Sequence, residues 1–318
     1  MSFHPLSAAY GGVVRVRNAL YDRGLLHSRR LRGPVISVGN LSVGGSGKTP
    51  FVILLGELLK GRGIEFDVLS RGYGRESRGV RLVDPGGSPR DFGDEPLLLA
   101  RRLQVPVVVG ESRYTAGEFA ESKFGPRFHL LDDGFQHRGL ARDFDIVLVT
   151  PEDARDRLLP AGRLREPLSA LKRADAVVLA SGASAQAFPS AGEMVWKLRR
   201  GLAIETVRVP ERPVVFCGIA RPQNFMLQLR TAGIEPVAEA FFRDHYTYSE
   251  KDVRDLLQLR ERSEAGGFVT TEKDAVNLGG YLEALAPLRV IPVKMDLTDA
   301  DNVLDAMLRV IDKRRERS

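Results

Sequence analysis

Cysteine is almost absent from this chain of 318 residues, in which Cys217 is the single one. One thiol cannot form a disulfide within the chain, which suits a reducing compartment. No apolar run approaches the roughly eighteen residues that cross a membrane as a helix. A signal-peptide pattern, a zinc-ligand spacing, an aromatic RNA-binding signature and an internal repeat are also missing. These absences predict a soluble enzyme that has no nucleic-acid partner.

Composition and charge are those of a globular protein with an anionic partner. Hydrophobic residues make up 43% of the chain and charged residues 28%, which is typical of a folded domain. The length suggests about two domains. The net charge of +6 favours an anionic partner, although charge alone leaves nucleic acid, nucleotide and acidic membrane open.

A glycine-rich segment from Gly39 to Pro50, G-N-L-S-V-G-G-S-G-K-T-P, is the most informative part of the sequence. It follows an apolar run at 34–38 and precedes another at 51–59, the strand–loop–helix context of a phosphate-binding loop. The lysine of such a loop reaches the β- and γ-phosphates, and the hydroxyl after it ligates Mg²⁺. The alternative is an ordinary glycine-rich turn, because a serine stands where the strict pattern has its first glycine. We predict that these residues bind nucleotide phosphates: Ser42, Val43, Gly44, Gly45, Ser46, Gly47, Lys48 and Thr49.

Two adjacent carboxylates, Asp132 and Asp133, follow the apolar run at 128–131. Mg²⁺ in phosphoryl-transfer sites takes carboxylate and phosphate oxygens, and neighbouring carboxylates repel each other unless a cation neutralises them. The alternative is a solvated acidic turn, since Asp-Gly is a turn dipeptide. Two other residues are ambiguous by themselves, because Asp94 is typical of a helix cap and His245 of a structural histidine.

The middle of the chain alternates short apolar runs with helix-length segments, which predicts an α/β fold. We expect a P-loop-containing parallel sheet with helices on both faces, plus a second smaller α/β domain. The predicted strands of the larger domain are 66–70, 105–109, 128–131, 145–149 and 176–179. The predicted segments are an N-terminal amphipathic helix at 1–26, a P-loop core at 27–193, a connector at 194–211 and the smaller domain with a terminal helix at 212–318.

The first segment suits an amphipathic helix from Leu6 to Leu25. Its apolar and aromatic side chains fall on one side at the helical period, and arginines lie beside them, as in helices that rest on anionic lipid. The alternative is a helix packed on its own domain. The predicted apolar side comprises Leu6, Tyr10, Val13, Val14, Leu20, Tyr21 and Leu25.

Taken together, these motifs resemble the tetraacyldisaccharide 4'-kinase family of lipid A biosynthesis. The resemblance extends from the N-terminal helix to about Asn277, and two positions depart from it. Tyr246 stands where many members have a second histidine, and Arg163 stands where many have proline. The motifs that carry the resemblance are the phosphate loop, S-R-G-Y-G-R from Ser70, G-D-E-P from Gly93, V-x-x-G-x-x-R ending at Arg113, L-D-D-G-F-Q-H from Leu131, L-R-E-P from Leu164, D-H from Asp244 and T-E-K-D from Thr271.

This resemblance implies an enzyme that transfers the γ-phosphate of ATP to the 4'-hydroxyl of tetraacyldisaccharide 1-phosphate, forming lipid IVA. It implies a monomer attached through the N-terminal helix to the cytoplasmic face of the bacterial inner membrane. The implied cofactors are ATP and Mg²⁺, with Thr49, Glu95 and Asp132 at the metal. The implied catalytic residues are Asp94, His245, Lys48 and Asp133, and the implied substrate-binding residues are Arg71, Tyr73, Arg113, Gln136, His137, Arg165 and Glu166.

Two nucleotide-dependent switches are the main alternatives. A membrane-associated ATPase of the partitioning type would carry a lysine just before the Gly-Gly of the loop, where this chain has Val43. A GTPase would need an N/T-K-x-D motif for its base, and T-E-K-D at 271–274 has a different order. Both observations favour the kinase.

Overall fold

The computed structural model describes residues 5–192 and 194–317, so residues 1, 2, 3, 4, 193 and 318 of the predicted segments lie outside it. The strands of the described part form two sheets. They are β1 (Val35–Asn40), β2 (Phe66–Ser70), β3 (Arg81–Leu82), β4 (Val107–Val109), β5 (Phe128–Asp132), β6 (Phe144–Val149), β7 (Ala176–Leu179), β8 (Met194–Leu202), β9 (Val214–Cys217), β10 (Ala238–Phe241), β11 (Phe268–Thr271), β12 (Leu288–Ile291) and β13 (Val293–Leu297).

The α-helices lie between these strands and at both ends of the described chain. None of those in the described residues is long and apolar enough to span a membrane. They are α1 (Pro5–Asp22), α2 (Lys48–Gly61), α3 (Pro89–Phe92), α4 (Asp94–Leu103), α5 (Arg113–Phe124), α6 (Pro222–Thr231), α7 (Glu250–Arg262), α8 (Glu272–Leu278) and α9 (Ala300–Arg315).

The larger sheet has the strand order β13-β8-β7-β6-β1-β5-β2-β4-β3 within the described residues. Its strands are parallel except at the edges, where β13 and β3 run antiparallel to their neighbours. The phosphate-loop strand β1 lies between β6 and β5 and is buried along its whole length. Because parallel strands end at the same edge of a sheet, the loops after β1, β2 and β5 meet there.

Helices cover both faces of this sheet, as predicted. Alternate side chains of β1 enter different clusters, as the two-residue period of a strand requires. Ile36 packs in the cluster that includes α2, α4 and α9. Val35 packs on the opposite face with Ala116 and Ala120 of α5.

The smaller sheet is parallel throughout, with the order β10-β9-β11-β12. Helix α7 covers one face through Val253 and Leu256, and α6 covers the other through Phe225 and Leu229. Helix α7 begins at an N-cap, since the side chain of Ser249 accepts a hydrogen bond from the backbone at its start.

The structure differs from the predicted segment boundaries at two places. Residues 194–202, predicted within a connector, form strand β8 of the larger sheet. Strand β13 and helix α9, predicted in the smaller domain, return to the larger sheet, where Leu304, Met307 and Ile311 enter its core. We propose that the smaller domain is an insertion between β8 and β13. Local sequence patterns do not reveal this arrangement, because strand partners lie far apart in the chain.

Helix α1 packs on the larger sheet through polar side chains. Ser7 Oγ donates to the carbonyl of Leu158 at 3.0 Å, and Tyr10 Oη donates to the carbonyl of Arg165 at 3.0 Å. Gly11 allows the close approach, because a Cβ there would lie 2.8 Å from Leu158 Cδ1. The predicted apolar side is therefore divided: Tyr10 contacts the protein, whereas Leu6 and Val13 are 63% and 68% exposed. Val16, which was not predicted on that side, is 62% exposed.

The return of α9 to the larger sheet makes a testable prediction. Met307 is fully buried in the core of that sheet, so Met307→Ala should lower the free energy of unfolding by about 2–5 kcal/mol. Denaturant titration followed by circular dichroism measures this change. Arg309→Ala, on the exposed side of the same helix, is the control, and equal stability of the two variants would contradict the packing.

Candidate active site

A cavity of about 850 Å³ opens at the carboxyl ends of β1, β2 and β5, and both sheets contribute residues to its wall. Most of the residues predicted from the sequence line it. Asp94 and Glu166 do not belong to the lining. The predicted residues on the wall are Ser42, Val43, Gly44, Gly45, Ser46, Gly47, Lys48, Thr49, Arg71, Tyr73, Glu95, Arg113, Asp132, Asp133, Gln136, His137, Arg165 and His245.

The phosphate loop is shaped by its backbone and by Asn40, the last residue of β1. The amide of Asn40 donates to the Ser42 carbonyl at 2.7 Å and to Ser46 Oγ at 2.8 Å. Gly47 has a φ of 84°, a left-handed conformation that side chains disfavour, and α2 begins directly after it. The loop therefore presents backbone N–H groups at a helix N-terminus, where anions bind.

Asp133 holds the two cations at the floor of this loop. Arg165 donates to both of its carboxylate oxygens, at 3.0 and 2.8 Å, and Lys48 Nζ lies 3.6 Å from Oδ1. Burial favours the neutral carboxyl, but the charges of Lys48 and Arg165 outweigh it and keep the pKa of Asp133 well below its usual value. Lys48 also donates to Asn40 Oδ1 at 3.1 Å.

Asp132 has the surroundings of a cation ligand. It is 2% exposed, and burial together with the charges of Glu95 and Asp133 raises its pKa to about 7. Ser70 Oγ donates to its Oδ2 at 3.3 Å, whereas its Oδ1 has no hydrogen-bond partner among the described residues. A cation beside that oxygen would satisfy it and restore an ordinary pKa.

Mg²⁺ fits the donors around this oxygen. Thr49 and Glu95 line the same cavity as Asp132, so two carboxylates and a hydroxyl face one space. The described residues contain no cluster of three or more His, Cys, Asp or Glu side chains arranged for a metal. Mg²⁺ needs no such cluster, since it is commonly bound by one or two carboxylates together with phosphate oxygens and water.

Asp94 and His245 meet across the junction of the two sheets. Asp94 is the first residue of α4, and His245 lies in the loop after β10. His245 Nδ1 is 3.0 Å from Asp94 Oδ1 and 2.9 Å from Oδ2. His245 faces the cavity, while Asp94 is 5% exposed and lies behind it.

The two groups shift each other's ionisation. Burial opposes the charged form of both, but their hydrogen bond and mutual attraction outweigh it. The pKa of Asp94 is lowered by His245 and Lys273, and the pKa of His245 is raised by Asp94.

The T-E-K-D motif, for which sequence analysis offered no role beyond family likeness, supports this pair. Thr271 caps α8, and Lys273 Nζ lies 3.7 Å from Asp94 Oδ2 and 3.2 Å from His245 Nε2. Asn277 donates to Asp94 Oδ2 at 3.2 Å. Lys273 and Asn277 were not predicted as site residues, although their four-residue spacing places them on one side of a helix.

The predicted acceptor-binding residues form a basic wall. Burial lowers the pKa of Arg113 to about 10, so it stays charged at neutral pH. Burial and the nearby arginines lower the pKa of His137 to about 4, so this imidazole is neutral. The amide of Gln136 donates to the Asn40 carbonyl at 3.0 Å. Tyr73 is 66% exposed, and its ring centroid lies 5.3 Å from that of His245.

Glu166 differs from its predicted place at the substrate. It is 2% exposed and lies outside the cavity wall. Its carboxylate accepts hydrogen bonds from Arg173 at 2.8 and 3.1 Å and from the Asn18 amide of α1 at 2.6 Å. The adjacent Arg165 turns into the cavity, so alternating direction along the loop separates two residues that the sequence places together.

The two residues that depart from the family pattern have partners of their own. Tyr246 Oη donates to Asp252 Oδ1 at 3.1 Å, and its ring packs against Phe242. Arg163 Nε donates to Asp156 Oδ2 at 2.8 Å, and its carbonyl accepts from the amide of Val43 at 2.8 Å. Arg163 therefore pairs its loop with the phosphate loop through its backbone.

Comparison with known proteins identifies relatives along the whole chain. Residues 1–312 match the family described as tetraacyldisaccharide-1-P 4'-kinase. A tetraacyldisaccharide 4'-kinase of Koribacter versatilis is 54% identical over 98% of this chain and 99% of its own length. One of Aquifex aeolicus is 41% identical over 90% of this chain and 92% of its own. A crystal structure of LpxK from Aquifex aeolicus in complex with ATP has a TM-score of 0.79, with 37% identity, covering 96% of this chain and 98% of that one.

The coupling of His245 to Asp94 can be measured directly. Asp94→Asn removes the negative charge that raises the pKa of His245, so the imidazole should lose its proton at lower pH in the variant. Histidine ring resonances followed by NMR through a pH titration report this shift. Asp296→Asn, which alters an exposed pair with Arg199, is the control, and an unchanged His245 titration in Asp94→Asn would contradict the assignment.

Proposed function

The chain belongs to the tetraacyldisaccharide-1-P 4'-kinase family, and on this basis we propose how its own residues perform the reaction. It is an ATP-dependent kinase of lipid A biosynthesis that transfers the γ-phosphate of ATP to the 4'-hydroxyl of tetraacyldisaccharide 1-phosphate. The observation that carries the residue assignment is one cavity that holds a phosphate loop, a buried carboxylate without a partner, and the Asp94–His245 pair at its edge.

The phosphate loop binds the triphosphate. Backbone N–H groups of residues 44–49 surround the β-phosphate at the start of α2. Lys48 exchanges its contact with Asp133 for the γ-phosphate, and Arg165 remains to balance the carboxylate of Asp133. Cations aimed at the transferring group stabilise the charge that spreads over it in the transition state.

Thr49, Glu95 and Asp132 would hold Mg²⁺ beside the phosphates. The metal, when bound, neutralises charge on the β- and γ-phosphate oxygens. The support for this assignment is the unpartnered Oδ1 of Asp132 and its raised pKa. Glu95 follows Asp94 directly in α4, so one helix start serves both the metal and the catalytic pair.

The Asp94–His245 pair receives the proton of the acceptor hydroxyl. An alcohol is a poor nucleophile at neutral pH, and a positioned base takes its proton as the new O–P bond forms and the bond to the ADP oxygen breaks. His245 faces the cavity and Asp94 stands behind it, so the imidazole is nearer to the hydroxyl and the carboxylate orients it. Lys273 and Asn277 fix Asp94 in place.

The basic wall binds the acceptor. Arg71 and Arg113 have no carboxylate within 4.0 Å among the described residues, so their charge is available to the 1-phosphate of the lipid. Arg165 also contributes to binding the 1-phosphate, but less, because its donors are already hydrogen-bonded to Asp133. Tyr73, Gln136 and His137 shape the acceptor side of the cavity.

Helix α1 attaches the enzyme, as a monomer, to the cytoplasmic face of the inner membrane. Leu6, Val13 and Val16 are exposed on its outer side, and Arg15 and Arg23 beside them suit anionic lipid headgroups. Its inner side is hydrogen-bonded to the loops that form the cavity. The acyl chains of the acceptor can therefore stay near the membrane while its sugar reaches the site.

The kinase reaction is tested by supplying ATP labelled in its γ-phosphate, Mg²⁺ and tetraacyldisaccharide 1-phosphate in detergent. The wild type should transfer label to the lipid, and Asp94→Asn should lower kcat by about 10²- to 10⁴-fold because the imidazole of His245 loses the carboxylate that orients it as a base. ATP affinity should stay unchanged, since Asp94 does not line the phosphate loop.

The matched control for this experiment is Asp91→Asn. Asp91 lies three residues before Asp94 and accepts a hydrogen bond from Ser88 outside the cavity. The Asp91→Asn variant should therefore have the activity of the wild type. A change in KM alone in Asp94→Asn would contradict the proposed role of Asp94 in orienting the base. Release of free phosphate without labelled lipid would instead indicate the ATPase switch.

Attachment through α1 is tested with a variant that replaces Leu6, Val13 and Val16 by serine. Binding to vesicles that contain anionic lipid, measured by sedimentation, should fall at least about tenfold because three exposed apolar side chains no longer insert. Leu227→Ser, at a 65% exposed position of α6, is the control. Equal vesicle binding by both folded variants would contradict the proposed surface.

A further inference from the structure

Arg200 lies beside the phosphate loop, although no sequence motif points to it. It is near the end of β8 and lines the cavity. Its Nη1 lies 3.8 Å from the position that a Cβ on Gly47 would take. Because Gly47 has no side chain, the guanidinium stands next to the backbone where α2 begins.

The charge of Arg200 is not balanced by a carboxylate. None among the described residues lies within 4.0 Å of its guanidinium. The other cations nearby are paired: Lys48 and Arg165 with Asp133, and Arg221 with Glu152 at 3.1 Å.

Ionisation at this position is also perturbed. Desolvation in the cavity wall and the charge of Arg221 lower the pKa of Arg200. Arg200 is exposed to the solvent of the cavity, so a bound phosphate can reach its forked donors, which match the geometry of phosphate oxygens.

The position along the cavity indicates which phosphate this is. Arg200 is next to Gly47 of the loop, and the following residue, Lys48, is the one proposed to reach the γ-phosphate. Leu202, two residues beyond Arg200 on β8, belongs to an apolar part of the cavity wall that suits a nucleoside. The apolar residues, which belong to one cluster of the smaller domain and its junction, are Leu202, Ile219, Phe225 and Ile291.

We propose that Arg200 binds the α-phosphate of the nucleotide, the group that joins the nucleoside to the phosphates in the loop. This inference rests on the proposed binding of ATP in the phosphate loop. It assigns to β8 a direct part in nucleotide binding, although β8 lies at the far end of the sheet from β2 and β4. Arg200 is a binding residue that touches a part of ATP also present in ADP, so it does not discriminate between the substrate ATP and the product ADP.

The test compares three ligands on one variant. In Arg200→Ala the Kd of both ATP and ADP, measured by calorimetry with Mg²⁺ present, should rise about 10- to 100-fold, as expected for a lost charge-assisted hydrogen bond. The Kd of adenosine should not change, because it has no phosphate. Arg200→Lys keeps the positive charge and loses the forked donors, so its Kd values for ATP and ADP should lie between those of Arg200→Ala and the wild type.

The chain offers a matched control in the preceding residue. Arg199 is on the same strand, 77% exposed in its side chain and paired with Asp296 at 2.8 Å. Arg199→Ala should therefore bind ATP, ADP and adenosine as the wild type does.

Each other outcome has a definite meaning. Unchanged affinity for ATP in Arg200→Ala would overturn the inference, as would an equal loss for adenosine, which would place Arg200 on the nucleoside. A loss for ATP without one for ADP would place it on the γ-phosphate and would also overturn it. None of these results for the Arg200 variants would contradict the proposed kinase reaction, because the wild type would still bind ATP. A wild type that binds no ATP would end both proposals.

Discussion

One carboxylate, Asp133, holds the cations of the phosphate loop together. Arg165 donates to both oxygens of Asp133, and Lys48 lies 3.6 Å from one of them. Without the Asp133 carboxylate, the positive charges of Lys48 and Arg165 would repel each other beside Asn40. Gly39 of β1 allows the loop that carries Asp133 to approach, because a Cβ on Gly39 would lie 2.5 Å from Phe135 Cβ. The acidic loop can therefore pack directly on the phosphate-loop strand. Phosphate oxygens carry the same sign of charge as Asp133. The loop is therefore preorganised for an anion, and nucleotide binding exchanges one set of oxygens for another.

The cavity as a whole separates charge into regions. Its centre is acidic, where burial and the charge of Glu95 raise the pKa of Asp132, a shift that a divalent cation would reverse. Arg113 and Arg200 also line its wall, and the proposals above assign Arg113 to the acceptor and Arg200 to the nucleotide. Two anionic substrates can thus approach each other with a cation between them, which is the main electrostatic problem of phosphoryl transfer. The Asp94–His245 pair, the proposed base, forms across the junction of the two sheets, so the pair is complete only when both sheets are in place.

Local chemistry was readable from the sequence, and long-range pairing was not. The phosphate loop and the strand before Asp132 were predicted because each has its signal within about a dozen neighbouring residues. The places of β8, β13 and α9 depend on partners far along the chain, and apolar alternation does not name a partner. Site residues followed the same rule: Lys273 and Arg200 reach the cavity through tertiary packing, and Glu166 leaves it because its loop turns. The resemblance to a family supplied what spacing could not, namely that Asp94 and His245 act together.

The packing of α9 on the larger sheet has a consequence for synthesis of the protein. Leu304, Met307 and Ile311 complete a core whose other residues begin at Ile36. The ribosome must therefore deliver nearly the entire polypeptide before the nucleotide-binding sheet can close its hydrophobic interior. The strands of the smaller sheet all lie between β8 and β13 in the chain. That sheet can therefore form earlier, while the first strands of the larger sheet still have one face uncovered. Premature termination anywhere upstream of α9 would leave a sheet with exposed apolar surface, a natural substrate for chaperones and proteases.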